Sequence, residues 1–215
     1  MRQRSDAIEG VPTVHGSRRH AATILITLCT LWLTGCVGVP DGVQAVDDFE
    51  LERYLGRWYE IARLDHRFER GLTHVRAEYT LREDGSVGVV NSGYSTKRQE
   101  WKSVEGRALF VGERDVAEIK VSFFGPFFGG YNVIALDREA YAYALVCGPN
   151  RDYLWILARD PELPASVKDA LVAKARELEF DVETLIWVQQ DNPPALGESA
   201  LPTAPAAGAY AQVSP

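Results

Sequence analysis

Cysteine, histidine and methionine are scarce in this 215-residue chain, which holds three, four and one of them. Cys29 lies in an apolar run near the N-terminus, Cys36 ends that run, and only Cys147 lies in the body of the protein, so no internal disulfide is expected. His15 and His20 also fall in the early region, which leaves His66 and His74 as the histidines of the body. A His/Cys metal centre is therefore not expected, nor is any cofactor. Apolar runs of membrane-spanning length are missing: the uncharged stretch Ala21 to Leu33 is too short to cross a bilayer core of about 30 Å as a helix. No Gly-x-Ser-x-Gly elbow, phosphate-binding glycine loop or dinucleotide glycine motif appears, so these marks of hydrolytic and nucleotide chemistry are absent. Basic charge is in deficit as well. The net charge is −7, and residues 1–35 carry four arginines against Asp6 and Glu9, leaving −9 on the remainder. Such a surface repels nucleic-acid phosphate and does not attach to anionic lipid by overall charge.

What is present begins with an export pattern. Arg18-Arg19-His20 precedes the apolar stretch, which ends in Leu33-Thr34-Gly35-Cys36. This ending resembles the bacterial lipobox, in which the cysteine thiol receives diacylglycerol before cleavage, so Cys36 is the expected lipidation site and the first residue of the mature protein. Val37 follows where an Asp would argue against sorting to the outer membrane, and outer-membrane localisation through the lipidated cysteine is expected. Several acyl chains on one residue exceed what stable anchoring needs. The organisation read from the sequence is a signal peptide over 1–35, a tether over 36–47, one domain over 48–190 and a disordered Pro/Ala-rich tail over 191–215.

The domain is a series of short strands. Candidates are Trp58 to Leu64, His74 to Arg82, Val87 to Tyr94, Glu100 to Val111, Val116 to Phe124, Gly130 to Asp137, Tyr141 to Cys147 and Tyr153 to Ala158. Turn residues such as Glu83-Asp84-Gly85 and Gly148-Pro149-Asn150 join them closely enough for antiparallel neighbours. Val75, Ala77, Tyr79 and Leu81 give one apolar face, and the intervening His74, Arg76, Glu78 and Thr80 a wet one. The later strands are apolar on both faces and need cover on two sides. Ser166 to Phe180 has helical apolar spacing, and Thr184 to Val188 reads as a short final strand. The fold class is thus all-β, an eight-stranded antiparallel up-and-down barrel with one C-terminal α-helix and a short last strand.

Gly56-Arg57-Trp58-Tyr59-Glu60 resembles the Gly-x-Trp-Tyr-Glu signature of the lipocalin family. In that family the tryptophan plugs the closed end of the barrel and an arginine after the last barrel strand packs across the indole. The resemblance gives that role to Arg159, and Ala135 to Glu139 loosely fits the motif between the sixth and seventh strands. Similarity to bacterial lipocalins runs from about Phe49 to Gln190. It implies a membrane-anchored binder or transporter of a hydrophobic ligand, fatty acid or lysophospholipid, and not an enzyme. Trp101, Tyr131, Tyr143 and Trp155 are the expected lumen residues. Asn91 is either a ligand contact or a polar residue facing water. Phe124, Phe127 and Phe128, with Phe123, surround a turn at the expected mouth, either as a greasy gate or as a packed bend; Arg67 with His66 and Arg70 lies in the first long loop at that end. Cys147 reads as a small buried strand residue; a lipocalin-fold enzyme uses a barrel cysteine, but the resemblance does not carry that role over to Cys147, and no basic neighbour in sequence lowers its pKa. Exposed apolar strand faces allow a homodimer.

Overall fold

The computed structural model describes residues 37–195. Residues 1–36, which include the expected signal segment and Cys36, and residues 196–215 lie outside the described residues. Eight strands, β1 (Gly56–Arg63), β2 (Leu72–Leu81), β3 (Val87–Ser95), β4 (Glu100–Phe110), β5 (Glu118–Phe124), β6 (Phe127–Leu136), β7 (Tyr143–Cys147) and β8 (Leu154–Ala158), pair antiparallel in sequence order. The barrel closes because β1 pairs with β2 through Gly56 to Tyr59 and with β8 from Tyr59 to Arg63. A four-residue helix α1 (Leu51–Tyr54), not foreseen from the sequence, precedes β1, and helix α2 (Ala165–Glu177) follows β8.

The period-2 pattern sorts side chains into two cores. Trp58, Ala77, Tyr79, Val87, Val89, Ala108, Ile119, Val133, Val146 and Leu157 point into the barrel. Ile61, Ala62, Leu145, Cys147, Leu154, Ile156 and Ala158 point out and are covered by Leu171, Ala175 and Phe180 of the helical segment. The strands apolar on both faces are those beneath the helix, as their composition requires.

A short strand β9 (Ile186–Trp187) pairs with the upper part of β1, where β2 has turned away at an irregularity around His74. The gap is filled by the segment that follows. Val188 N donates to Ile61 O at 2.9 Å, His74 N donates to Gln189 O at 2.8 Å, and the Gln190 amide donates to both Glu60 O and Val75 O at 2.8 Å. Backbone carbonyls left open by the divergence are thereby satisfied. The chain continues along the barrel, with Asp191 O against His74 Nε2 and Pro194 O accepting from Trp101 Nε1. The first residues of the segment read as a disordered tail are therefore held against the wall. The residues read as a tether are held too: Val43 is buried, and Val46 is bonded to the backbones of Ala117 and Val133.

Candidate functional site

The closed end is built around Trp58, which has no solvent exposure and donates from Nε1 to Tyr54 O at 2.8 Å. The guanidinium of Arg159 lies 4.1 Å from the indole centroid. It also donates to Arg57 O at 2.8 Å, Arg53 O at 2.6 Å and Tyr141 O at 3.3 Å, so one planar fork ties the α1 and β1 backbones to the β6–β7 connection beneath the plug. Gly56 is needed here because its φ of +89° is one that side-chain-bearing residues rarely adopt. Asp137 closes the β6–β7 turn by accepting from Glu139 N and Ala142 N, and Arg138 reaches Asp47.

Above the plug stands a layer of three tyrosines. Tyr131 Oη lies 2.8 Å from Tyr54 Oη and 2.9 Å from Tyr79 Oη. Burial raises the pKa of all three, so the hydroxyls stay protonated and serve one another as donor and acceptor.

Nearer the open end the lumen wall is charged. Arg63 and Trp155 are opposite each other in the β1–β8 register, as are Glu60 and Leu157, and both pairs point inward. Arg63 Nη1 donates to Glu60 Oε1 at 2.6 Å, and Nη2 donates to Glu69 O at 2.9 Å. The loop over residues 64–71 turns inward to place Glu69 Oε2 3.3 Å from Trp155 Nε1 and 3.0 Å from His66 Nε2. Glu60, Arg63, His66 and Glu69 are all at most 7% exposed. Burial, then the nearby Glu69 charge, pushes the Glu60 carboxyl well above the usual carboxylate range. Burial acts the same way on Glu69, but His66, the Trp155 indole and Arg63 outweigh it and bring that carboxyl down. This network went unnoticed in the sequence, although Glu60, two residues after the inward Trp58, has the parity that could have revealed it. His66 is buried against Phe68 and Trp155, not solvated in its loop, while Arg67 is exposed and Arg70 is paired with Asp65 at the surface.

Of the four expected lumen residues, the barrel brings Tyr131 and Trp155 inside. Trp101 and Tyr143 are on the outer face and must be corrected. Trp101 pairs with Tyr94, packs edge-on to His74 and Tyr94 and is capped by Arg76; Tyr143 belongs to the cluster on the helix side. The physical reason is strand parity, since a one-residue step reverses the side a residue faces and aromatic size says nothing about it. Asn91 pairs with inward-facing Ala77, and its Oδ1 is buried in the lumen wall without a hydrogen-bond partner. At the mouth, Phe124 and Phe127 are 76% and 80% exposed, Phe123 packs against the inner core, and Phe128 is half-buried under Lys120. Cys147 faces outward, buried beside Asn132 and the N-terminal segment, and burial pushes its thiol up to about 12.

A lipocalin-like domain family matches residues 49–190. The chain is 52% identical over 167 residues to the outer membrane lipoprotein Blc of Vibrio cholerae, covering 78% of this chain and 98% of that protein. It is 59% identical over 151 residues to the protein of the same name in Escherichia coli K12, covering 70% and 85%. Temperature-induced lipocalin-1 of Arabidopsis thaliana is 36% identical over 162 residues, covering 71% and 86%. Among solved structures, insecticyanin from the tobacco hornworm superposes with a TM-score of 0.57 at 23% identity, covering 76% of this chain and 89% of that one, a likeness of fold.

Proposed function

The chain belongs to the lipocalin family, and on that footing we propose that it is an outer-membrane lipoprotein, anchored through acylated Cys36, that carries a single-chain lipid in its barrel. Fatty acid and lysophospholipid are the ligand classes. The observation that carries this reading is the state of the inner wall. Trp155, Tyr131, Val121, Phe123 and Asn91 point inward yet remain partly accessible, above a floor sealed by Trp58. An apolar wall with a few placed polar groups suits an acyl chain bearing a polar end. Trp155 and Tyr131 are the ligand-contacting residues proposed, with Asn91, Arg63 and Glu69 available to a head group.

A binding role is preferred to catalysis because the one thiol of the barrel lies outside the lumen, buried and protonated. A homodimer would use the exposed edge at Ile186 and Trp187, 37% and 50% accessible. The test is native mass spectrometry of the protein from Val37 onward, with palmitate and lysophosphatidylethanolamine. Stoichiometric adducts that disappear in Trp155→Ala establish the carrier and place the site, and the same spectra report any dimer. A clean apo mass at about 100 μM ligand, well above micromolar affinity, would leave a structural lipoprotein with a filled barrel.

A further inference from the structure

The N-terminal segment leaves the barrel at its open end. Gly38 O accepts from Asn132 Nδ2 at 2.8 Å, and the same nitrogen reaches Gly148 O at 3.3 Å. Gly130 makes room for this contact, since a Cβ there would stand 2.9 Å from Gly38 O. Further along, Asp41 O accepts from Arg151 Nη2 at 2.8 Å. Gly148 and Arg151 belong to the β7–β8 loop on the mouth side, so both fixed points are at the rim. Two residues of extended chain span at most about 7 Å, so an anchor joined two residues before Gly38 is limited to that distance from the rim.

The rim differs chemically from the rest of the molecule. Phe124 and Phe127, at the β5–β6 turn, are the most exposed large apolar residues described, and Phe68 on the β1–β2 loop, across the mouth, is 62% exposed. Gly130 is three residues down β6 from Phe127, about 10 Å, a separation that two residues of chain rising from Gly38 would largely span. Charge is segregated as well. The open-end connections 64–71, 96–99, 125–126, 148–153 and 178–185, the last held there by the β9 pairing and the Arg151–Glu179 ion pair, hold five basic and six acidic residues, net −1, whereas the closed-end segments 47–55, 82–86, 111–117, 137–142 and 159–164 hold five basic and twelve acidic, net −7. The exposed apolar residues near the closed end, Leu81 and Val111, are aliphatic and flanked by those acidic loops.

We propose that the open end of the barrel docks on the surface of the membrane that holds the anchor, an anionic lipid bilayer, with Phe124 and Phe127 in the headgroup layer and the acidic closed end turned away. The proposal rests on the Cys36 anchor of the function proposed above. The near-neutral rim, with Lys97 and Arg98 on one of its loops, is repelled by anionic lipid far less than the strongly acidic far end, while the acyl chains keep the molecule within reach of the surface. The lumen then opens onto lipid.

The test uses the full chain, processed in a bacterium to its acylated form and reconstituted into vesicles of phosphatidylethanolamine and phosphatidylglycerol with spin-labelled acyl chains. An environment-sensitive fluorophore is attached at Phe127→Cys or, in a second protein, at Glu113→Cys on the closed end. The expected result is a blue shift and loss of emission at position 127 and neither at 113, with the loss reduced by adding Lys97→Glu and Arg98→Glu. Peptide mass spectrometry reports the acylation of Cys36 separately. An acylated protein with position 127 unquenched, or with 113 quenched equally, overturns the orientation and leaves the anchor standing; an unacylated Cys36 overturns both.

Discussion

Replacing Asn91 with leucine should move stability and ligand affinity in opposite directions. The Oδ1 atom of Asn91 is buried in the lumen wall with no partner, and the inward parity of the residue follows from its pairing with Ala77. A buried acceptor left unpaired costs about 1–3 kcal/mol. Because the residue as a whole is only half-buried, the low end of that range, about 1 kcal/mol, is the expected gain of Asn91→Leu in the ligand-free protein. For a domain of this size that raises Tm by roughly 2–4 °C. A lysophospholipid can offer Oδ1 an ammonium or hydroxyl donor, and losing such a bond costs about 1.5 kcal/mol, or roughly tenfold in Kd. An ionised fatty acid has no donor to lose. Calorimetric melting of the apo protein and fluorescence titration with both lipids therefore give three readings: stability up, lysophospholipid affinity down, palmitate affinity unchanged. A lower Tm, or equal losses for the two lipids, would refute Asn91 as an acceptor held ready for ligand.

The remaining predictions concern the charged and cationic groups of the barrel. Arg159→Lys keeps the charge over Trp58 but loses the fork that binds three carbonyls; it should cost about 2 kcal/mol and Arg159→Ala about 3 by urea unfolding, and a lysine variant as stable as the original would show that charge alone suffices. Glu60 has a folded pKa well above its ordinary 4.5, so over the interval above that value the folded state binds more protons than the unfolded chain, and stability falls as pH rises. Glu60→Gln keeps an acceptor for Arg63 without that proton, and should flatten the fall between about pH 5 and 8; an unchanged slope in urea midpoints across this range would count against a proton on Glu60.

Strand positions were legible because alternation survives wherever one face is wet. All eight barrel strands start and end within three residues of their expected bounds, and the helix read over Ser166 to Phe180 spans Ala165–Glu177. Faces were less legible. Tyr131 and Trp155 could be told from Trp101 and Tyr143 only by register, and the sheet carries irregularities at Glu60/Ala62, Thr73/Arg76, Val121/Phe124 and Val133/Ala135 that break any count carried along the chain. Least legible was whatever depends on distant partners. The buried His66 is accommodated by Phe68, Glu69 and Trp155, the last on another strand. The residues taken for a tether have no periodicity of their own; they are fixed by donors from Asn132 and Arg151.

The pinned segment would set how far the proposed anchor at Cys36 lets the barrel move. An acyl chain of about 15 methylenes, at about 0.8 kcal/mol each, meets a cost of about 12 kcal/mol on passing fully into water. A carrier on a long free tether would load only through such a passage, or through chance encounters of its mouth with the bilayer. If the tether is short because Gly38 and Asp41 are pinned at the rim, the mouth is confined to within a few residues' reach of the lipid surface. The transfer then exchanges bilayer for an apolar lumen, and most of the barrier disappears. On the docked arrangement proposed above, fixing a seemingly loose segment would do for kinetics what Trp58 and Arg159 do for stability at the other end, by sparing the ligand a passage through water.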